Sequence, residues 1–172
     1  MKKLTLAFIL FSSFSFSQAI AQKSQPKTIK ADILMGRNFE NTTNTNLVLK
    51  TIKAMAALDT AAYRSYFAPN AVFHDNLDSM NLDQNVGLIG VFKSKGITVQ
   101  LEKVAPIWEY VYEKNAATNG ISNFVISYQY FNFTKGDKTI KVLISVVDLI
   151  KDGKITEEWL SYDTRALYEL LK

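Results

Sequence analysis

Between Ile97 and Tyr162 the chain runs through four long apolar stretches with a period of two, and this limits its fold more than any other feature. The stretches are Ile97 to Glu113, Ile121 to Phe133, Thr139 to Ile150 and Lys154 to Tyr162. Their connections, Asn119-Gly120, Lys135-Gly136-Asp137 and Lys151-Asp152-Gly153, carry the residues that tight hairpins require. Consecutive hairpins make an antiparallel meander. In Ile121 to Phe133 one face carries Phe124, Ile126, Tyr128 and Tyr130, and the other carries Ile121, Val125, Phe131 and Phe133. A sheet with one wet face shows polar alternation there, so both faces are expected to be covered. Helices cover one. The other is covered by a second subunit, giving a homodimer through the sheet, or by the sheet curling onto itself.

The residues before the meander read as helices. Ala31 to Glu40 has room for a short one. After the polar loop Asn41 to Asn46, a helix is expected to begin near Thr45 or Asn46, with Leu47, Ile52, Met55 and Leu58 near helical spacing. Asp59 is placed to cap a second helix, Thr60 to Phe67, which Pro69 ends. Ala71 to Asp75 reads as a short strand, Asp83 to Lys95 as a helix, and Asp163 to Lys172 as a terminal helix. The fold class is therefore α+β, with a curved antiparallel sheet wrapped around N-terminal helices.

Residues 1–21 have the pattern of a signal peptide: Lys2 and Lys3, the apolar run Leu4 to Phe16, and the small-residue site Ala19-Ile20-Ala21. The run is short for a membrane span. The expected mature chain begins at Gln22, is exported to the periplasm or medium, and has no membrane attachment after cleavage. Residues 22–44 read as a flexible N-terminal segment and 45–172 as one domain. The 172 residues hold 20 basic and 16 acidic side chains, so loss of Lys2 and Lys3 leaves 18 against 16. That near balance is no nucleic-acid footprint. With no cysteine there is no disulfide framework, and about 150 residues suffice for a self-standing core. No cysteine and one histidine make a metal site poor, and no phosphate loop or serine elbow is present, so no cofactor is expected.

Two segments carry a family resemblance. They are Leu58-Asp59-Thr60-Ala61-Ala62 leading to Phe67-Ala68-Pro69-Asn70-Ala71-Val72-Phe73-His74-Asp75, and Val147 to Ile155 followed by Glu158-Trp159. In their order and spacing they resemble the nuclear-transport-factor-2-like superfamily, in its SnoaL-like branch, across Thr45 to Lys172. The resemblance implies a cone-shaped pocket and either cofactor-free acid–base chemistry or a noncatalytic binding module.

Within that resemblance, ketosteroid isomerases place their base at the end of the short strand, which matches Asp75. A carboxylate there can move a proton on a carbon next to a carbonyl; the structural alternative is a turn cap. Asp148 matches the position of a protonated aspartate that donates to the oxyanion. It also interrupts an apolar strand, where a charge is expensive to bury. The tyrosine those enzymes carry on the first helix is replaced here by Thr51, so Tyr63, Tyr128 or Tyr130 would have to take its place. His74 is an alternative acid–base group, as in SnoaL-like cyclases. Neighbours on a strand face opposite ways, so His74 and Asp75 enter one cavity only if the strand bulges. Phe73, Trp108, Tyr128, Tyr130 and Trp159 are candidate pocket aromatics for a small apolar ligand. Trp159 is expected against a helix or the pocket floor. Glu157 or Asp163 is expected to line the cavity, unless Asp163 caps the last helix.

Overall fold

The computed structural model describes residues 36–112 and 123–172; the expected signal peptide and the Asn119-Gly120 turn lie outside them. The described residues all belong to one compact unit. The order of elements is β1 (Gly36–Phe39), α1 (Thr43–Ala56), α2 (Thr60–Ser65), β2 (Phe67–Asp75), β3 (Asp78–Asn81), α3 (Leu82–Ser94), β4 (Thr98–Tyr112), β5 (Asn123–Lys135), β6 (Lys138–Lys151), β7 (Lys154–Ser161) and α4 (Arg165–Leu171). The seven strands make one curved, open sheet in the order β1-β4-β5-β6-β7-β2-β3. No helix among the described residues is long and apolar enough to cross a membrane.

Local chemistry sets most boundaries. Thr42 caps α1 by accepting from the Thr45 N–H at 3.0 Å, so the helix starts two residues before Thr45. Asp59 caps α2 by accepting from the Ala62 N–H at 3.0 Å. Asn81 and Gln84 form a reciprocal capping box that starts α3. Asp152 and Gly153 both adopt positive φ, 52° and 71°, as a two-residue hairpin turn between twisted strands requires.

Strand β2 begins at Phe67, so Pro69 lies within a strand and does not end a helix, and three further features differ from the sequence reading. Gly36–Phe39 is a strand paired antiparallel with β4, where a helix over Ala31 to Glu40 was expected. A ten-residue helix is marginal on its own, and the free edge of β4 offers Gly36–Phe39 a hydrogen-bonded partner instead. Asp78–Asn81 forms an extra strand, folded back on β2. The sheet is antiparallel except where β2 lies parallel to β7. That pair joins segments distant in sequence, which no turn signal announces.

Cross-strand partners share a face, so register sorts the side chains. One row, Phe73, Glu158, Asp148, Val125 and Glu109, crosses five strands on the face that packs against the helices. The neighbouring row, His74, Trp159, Val147, Ile126 and Trp108, crosses them on the outer face. Helix α1 buries Val48, Thr51 and Ile52 on the inner face. Glu109 is buried there too, and accepts from Asn44 Nδ2 of α1 at 2.7 Å and from Asn123 Nδ2.

Phe73 is fully buried, its ring 4.9 Å from that of Phe67. Phe73→Ala is expected to destabilise the fold by about 3–5 kcal/mol, read as a lower midpoint in urea denaturation. A loss below about 1 kcal/mol would mean that this row is not part of the core.

Candidate functional site

The inner face of the sheet carries a buried polar cluster at its centre. Ser127 and Gln129 of β5, Asp148 of β6 and Glu158 of β7 are all buried there, with Thr51 of α1 and Tyr63 of α2 above them. Gln129 Nε2 donates to Ser127 Oγ at 3.0 Å, and the Thr51 hydroxyl donates to the Leu47 carbonyl of its own helix at 3.0 Å. Asp148 and Glu158 are direct cross-strand partners. Asp148 is only 1% exposed and Glu158 5%.

Two carboxylates at such a place cannot both stay ionised. Burial pushes Asp148 up to about 7, partly offset by its hydrogen bond with Glu158. Burial pushes Glu158 well above the usual carboxylate range, and the charge and hydrogen bond of Asp148 push it further. If both groups were ionised, neither Asp148 oxygen would have a donor. A proton on Glu158 provides one. The pair therefore holds at least one proton, shared between them, near neutral pH. Burial, and then the charges of Glu158 and Asp148, raise Tyr63 as well, which keeps its phenol neutral.

Nearer the rim, Asp75 ends β2. Its Oδ2 accepts from the Tyr162 hydroxyl at 2.9 Å and its Oδ1 from Asn76 Nδ2 at 3.2 Å. Asn76 takes a left-handed φ of 54°, donates its N–H to the Leu160 carbonyl at 2.9 Å, and accepts the Tyr162 N–H on Oδ1 at 3.1 Å. This clamp fixes Asp75 and Tyr162 side by side. Burial raises Asp75, the Tyr162 hydrogen bond opposes the rise, and Asp78 adds to it. Burial, followed by the charge of Asp75, raises Tyr162.

Three hollows lie in series between these groups. A mouth of about 300 Å³ is walled by Asp75, Leu77, Leu88, Tyr162 and Tyr168. A middle of about 80 Å³ shares Asp75, Leu88, Phe92, Tyr162 and Leu167 with the mouth. A floor of about 40 Å³ is lined by Thr51, Tyr63, Gln129, Asp148 and Glu158, and shares Met55, Tyr63, Ile144 and Leu160 with the middle. The floor has room for a few waters or one ligand oxygen.

Of the residues singled out in the sequence, Asp75, Asp148, Thr51 and Tyr63 come together around this series of hollows. Phe73 is core. His74, Trp108, Tyr128, Tyr130 and Trp159 lie on the outer face. His74 Nε2 is 2.7 Å from Glu157 Oε1, its ring stacks on Trp159 at 5.1 Å, and its Nδ1 is 3.4 Å from Ser79 Oγ. Trp159 is 39% exposed and is not among the residues that line the floor. Asp163 is exposed; its Oδ1 accepts the Arg165 N–H at 3.0 Å at the start of α4. Its hydrogen bonds with Arg165 hold it down at about 2.

Simple alternation does not single out Glu158. Ile155 is fully buried, which points Glu157 and Trp159 inward in a regular strand. A bulge intervenes: Ile155 pairs with Ile150 but Glu157 pairs with Leu149, leaving Thr156 as an extra residue whose hydroxyl donates to the Leu149 carbonyl at 3.2 Å. The bulge turns Glu158 inward. Tyr162 carries a weaker signal, as an aromatic two residues beyond Leu160 on the same face.

The chain has the cone fold of the nuclear-transport-factor-2-like superfamily. It is similar in structure to a provisionally assigned polyketide cyclase from Xanthomonas campestris pv. campestris, at a TM-score of 0.56 and 13% identity, covering 76% of this chain and 97% of that one. It is also similar to an LEH-like epoxide hydrolase from M. tuberculosis, at a TM-score of 0.55 and 13% identity, covering 75% and 89%. A third similar structure, a provisionally assigned hydroxylase from Streptomyces galilaeus, has a TM-score of 0.54 and 15% identity, covering 74% and 94%. No protein-family model matches the sequence, and no curated protein matches it at the sequence level.

The charge state of the floor sets a pH dependence. In the unfolded chain Asp148 titrates near 3.9; in the folded chain it titrates near 7. Between these values the folded state binds more protons, so stability falls as pH rises from about 4 to about 7, and the more strongly raised Glu158 carries the fall on above that. The size is on the order of a few kcal/mol. Asp148→Asn is expected to make that decline shallower in denaturation curves taken from pH 4 to pH 8, leaving the share that burial of Glu158 contributes. An equal decline in the variant would show that Asp148 is ionised and solvated.

Proposed function

We propose that the chain is an exported small-molecule enzyme that carries out cofactor-free acid–base chemistry on an apolar carbonyl compound, of the isomerase, cyclase or dehydratase type. One observation carries this reading: Asp75 and the Asp148–Glu158 pair line a single series of hollows from opposite ends, with apolar walls between them. Asp75 is the base. Half-burial raises its proton affinity, and Tyr162 holds it in one orientation. Taking a proton from the carbon next to the carbonyl moves negative charge onto the carbonyl oxygen. That oxygen, directed to the floor, meets the shared proton of Asp148 and Glu158, or a water held by them. The solved structures named for a polyketide cyclase and an epoxide hydrolase support small-molecule chemistry in such a cone. The basic, apolar and small-residue order of residues 1–21 supports export.

The test is α-proton exchange. Wild-type protein is expected to accelerate exchange in heavy water for at least one of a panel of cyclic ketones, followed by NMR. Asp75→Asn is expected to lose about 10²–10⁴-fold while still binding the ketone. Undiminished exchange in the variant removes Asp75 as the base. Binding without exchange in the wild type favours a noncatalytic binding module.

The outer face supports the second part of the proposal, a homodimer through the sheet. Val72, Leu143 and Trp159 are each about two-fifths exposed there, beside the half-buried Trp108, Tyr128 and Tyr130. The protein is expected to sediment as a dimer at micromolar concentration, and Trp159→Glu as a monomer. A monomeric wild type overturns it.

A further inference from the structure

We infer that Asn85 is a specificity-determining residue of the cone, whose side-chain oxygen selects ligands that bring an O–H or N–H donor into the middle hollow. The inference rests on reading the cone as a small-molecule pocket, and adds to it a residue and a ligand chemistry.

Helix α3 buries Leu82, Asn85, Val86 and Ile89. The spacing of three, four and seven is one helical stripe, and Asn85 is its only polar member. Asparagine is a poor helix former away from a cap, and its amide loses hydration when buried. A leucine in that slot would carry neither penalty. Asn85 is 8% exposed, and its Oδ1 is shielded from solvent with no hydrogen-bond partner.

What surrounds it makes the missing partner informative. Asn85 lines the middle hollow, whose walls are otherwise mostly apolar, including Met55, Ile89, Phe92 and Phe133. Asp75 and Tyr162 share that hollow but are bonded to each other, and the second Asp75 oxygen accepts from Asn76. Asn85 thus lines the same hollow as the base and carries an uncommitted acceptor, Oδ1. Buried acceptors in native proteins are matched, so a donor from the ligand completes this one. A site built this way discriminates strongly against an analogue that lacks the donor, because the acceptor is then sealed off unpaired. The ligand class is an apolar ring compound that carries a hydroxyl or N–H, with its carbonyl placed towards Asp75 and the floor.

Binding of matched compounds tests this without a known substrate. Calorimetric titration with 2-naphthol and with 2-methoxynaphthalene compares the same ring with and without a donor. Wild-type protein is expected to bind 2-naphthol about tenfold more tightly. Asn85→Leu and Asn85→Ala are both expected to remove the preference, the leucine variant by keeping affinity for the methoxy compound. Equal or reversed affinities in the wild type, as when a resident water already satisfies Asn85, overturn the inference. So does a preference that survives in both Asn85 variants. If α-proton exchange proceeds but the hydroxyl preference is absent, this inference fails alone. If neither compound binds and no ketone is turned over, it fails together with the small-molecule reading.

Discussion

The register between β6 and β7 is the constraint on which the rest of the site depends. One extra residue, Thr156, is accommodated by a bulge, and its hydroxyl is tied to the Leu149 carbonyl. Past that point β7 shows the helices the face that carries Glu158, Leu160 and, further on, Tyr162. Without the extra residue, the face carrying Glu157 and Trp159 would turn inward, and a bulky indole would fill the space now left to the floor. Two carboxyls would no longer meet across the strands. The hydroxyl that orients Asp75 would also lie on the wrong side.

Burial then does the chemistry's groundwork. The floor carboxyls lie far from water, under Thr51, Tyr63 and the first two helices. Desolvation, more than any charged partner, decides that one of them is protonated near neutral pH. Asp75 is treated differently, because it is half-buried and held by two donors. One series of hollows thus has a carboxylate near its mouth and carboxyls with raised proton affinity at its base, distinguished by environment and not by residue type. Apolar walls keep the two sets of groups apart.

Part of this was legible in the residues. Asp152-Gly153 and Gly136-Asp137 announce two hairpins, and Asp59 marks a cap that is present. Asp148 is conspicuous as a charge in an apolar strand, and Asp75 by its place at a strand end. His74 and Trp159 drew attention as rare residue types, yet they stack on each other outside the cone. Glu158 is chemically the equal of Glu157 in the sequence, and only the bulge separates a buried proton carrier from a half-exposed partner of His74. Asn85 had a readable signal, a polar residue in an apolar helical stripe, but a stripe alone does not say what it faces.

The sequence by itself determined the α+β class, the meander, most caps and turns, and the presence of acids where a strand should be greasy. These follow from interactions within a few residues: backbone hydrogen bonds, side-chain caps, and alternation along one strand. Tertiary structure alone decided which acids meet, that β2 runs parallel beside β7, and that β1 and β3 extend the sheet. Those outcomes depend on pairings between distant segments, and a one-residue change of register reverses every side chain beyond it. Composition carries no trace of that choice.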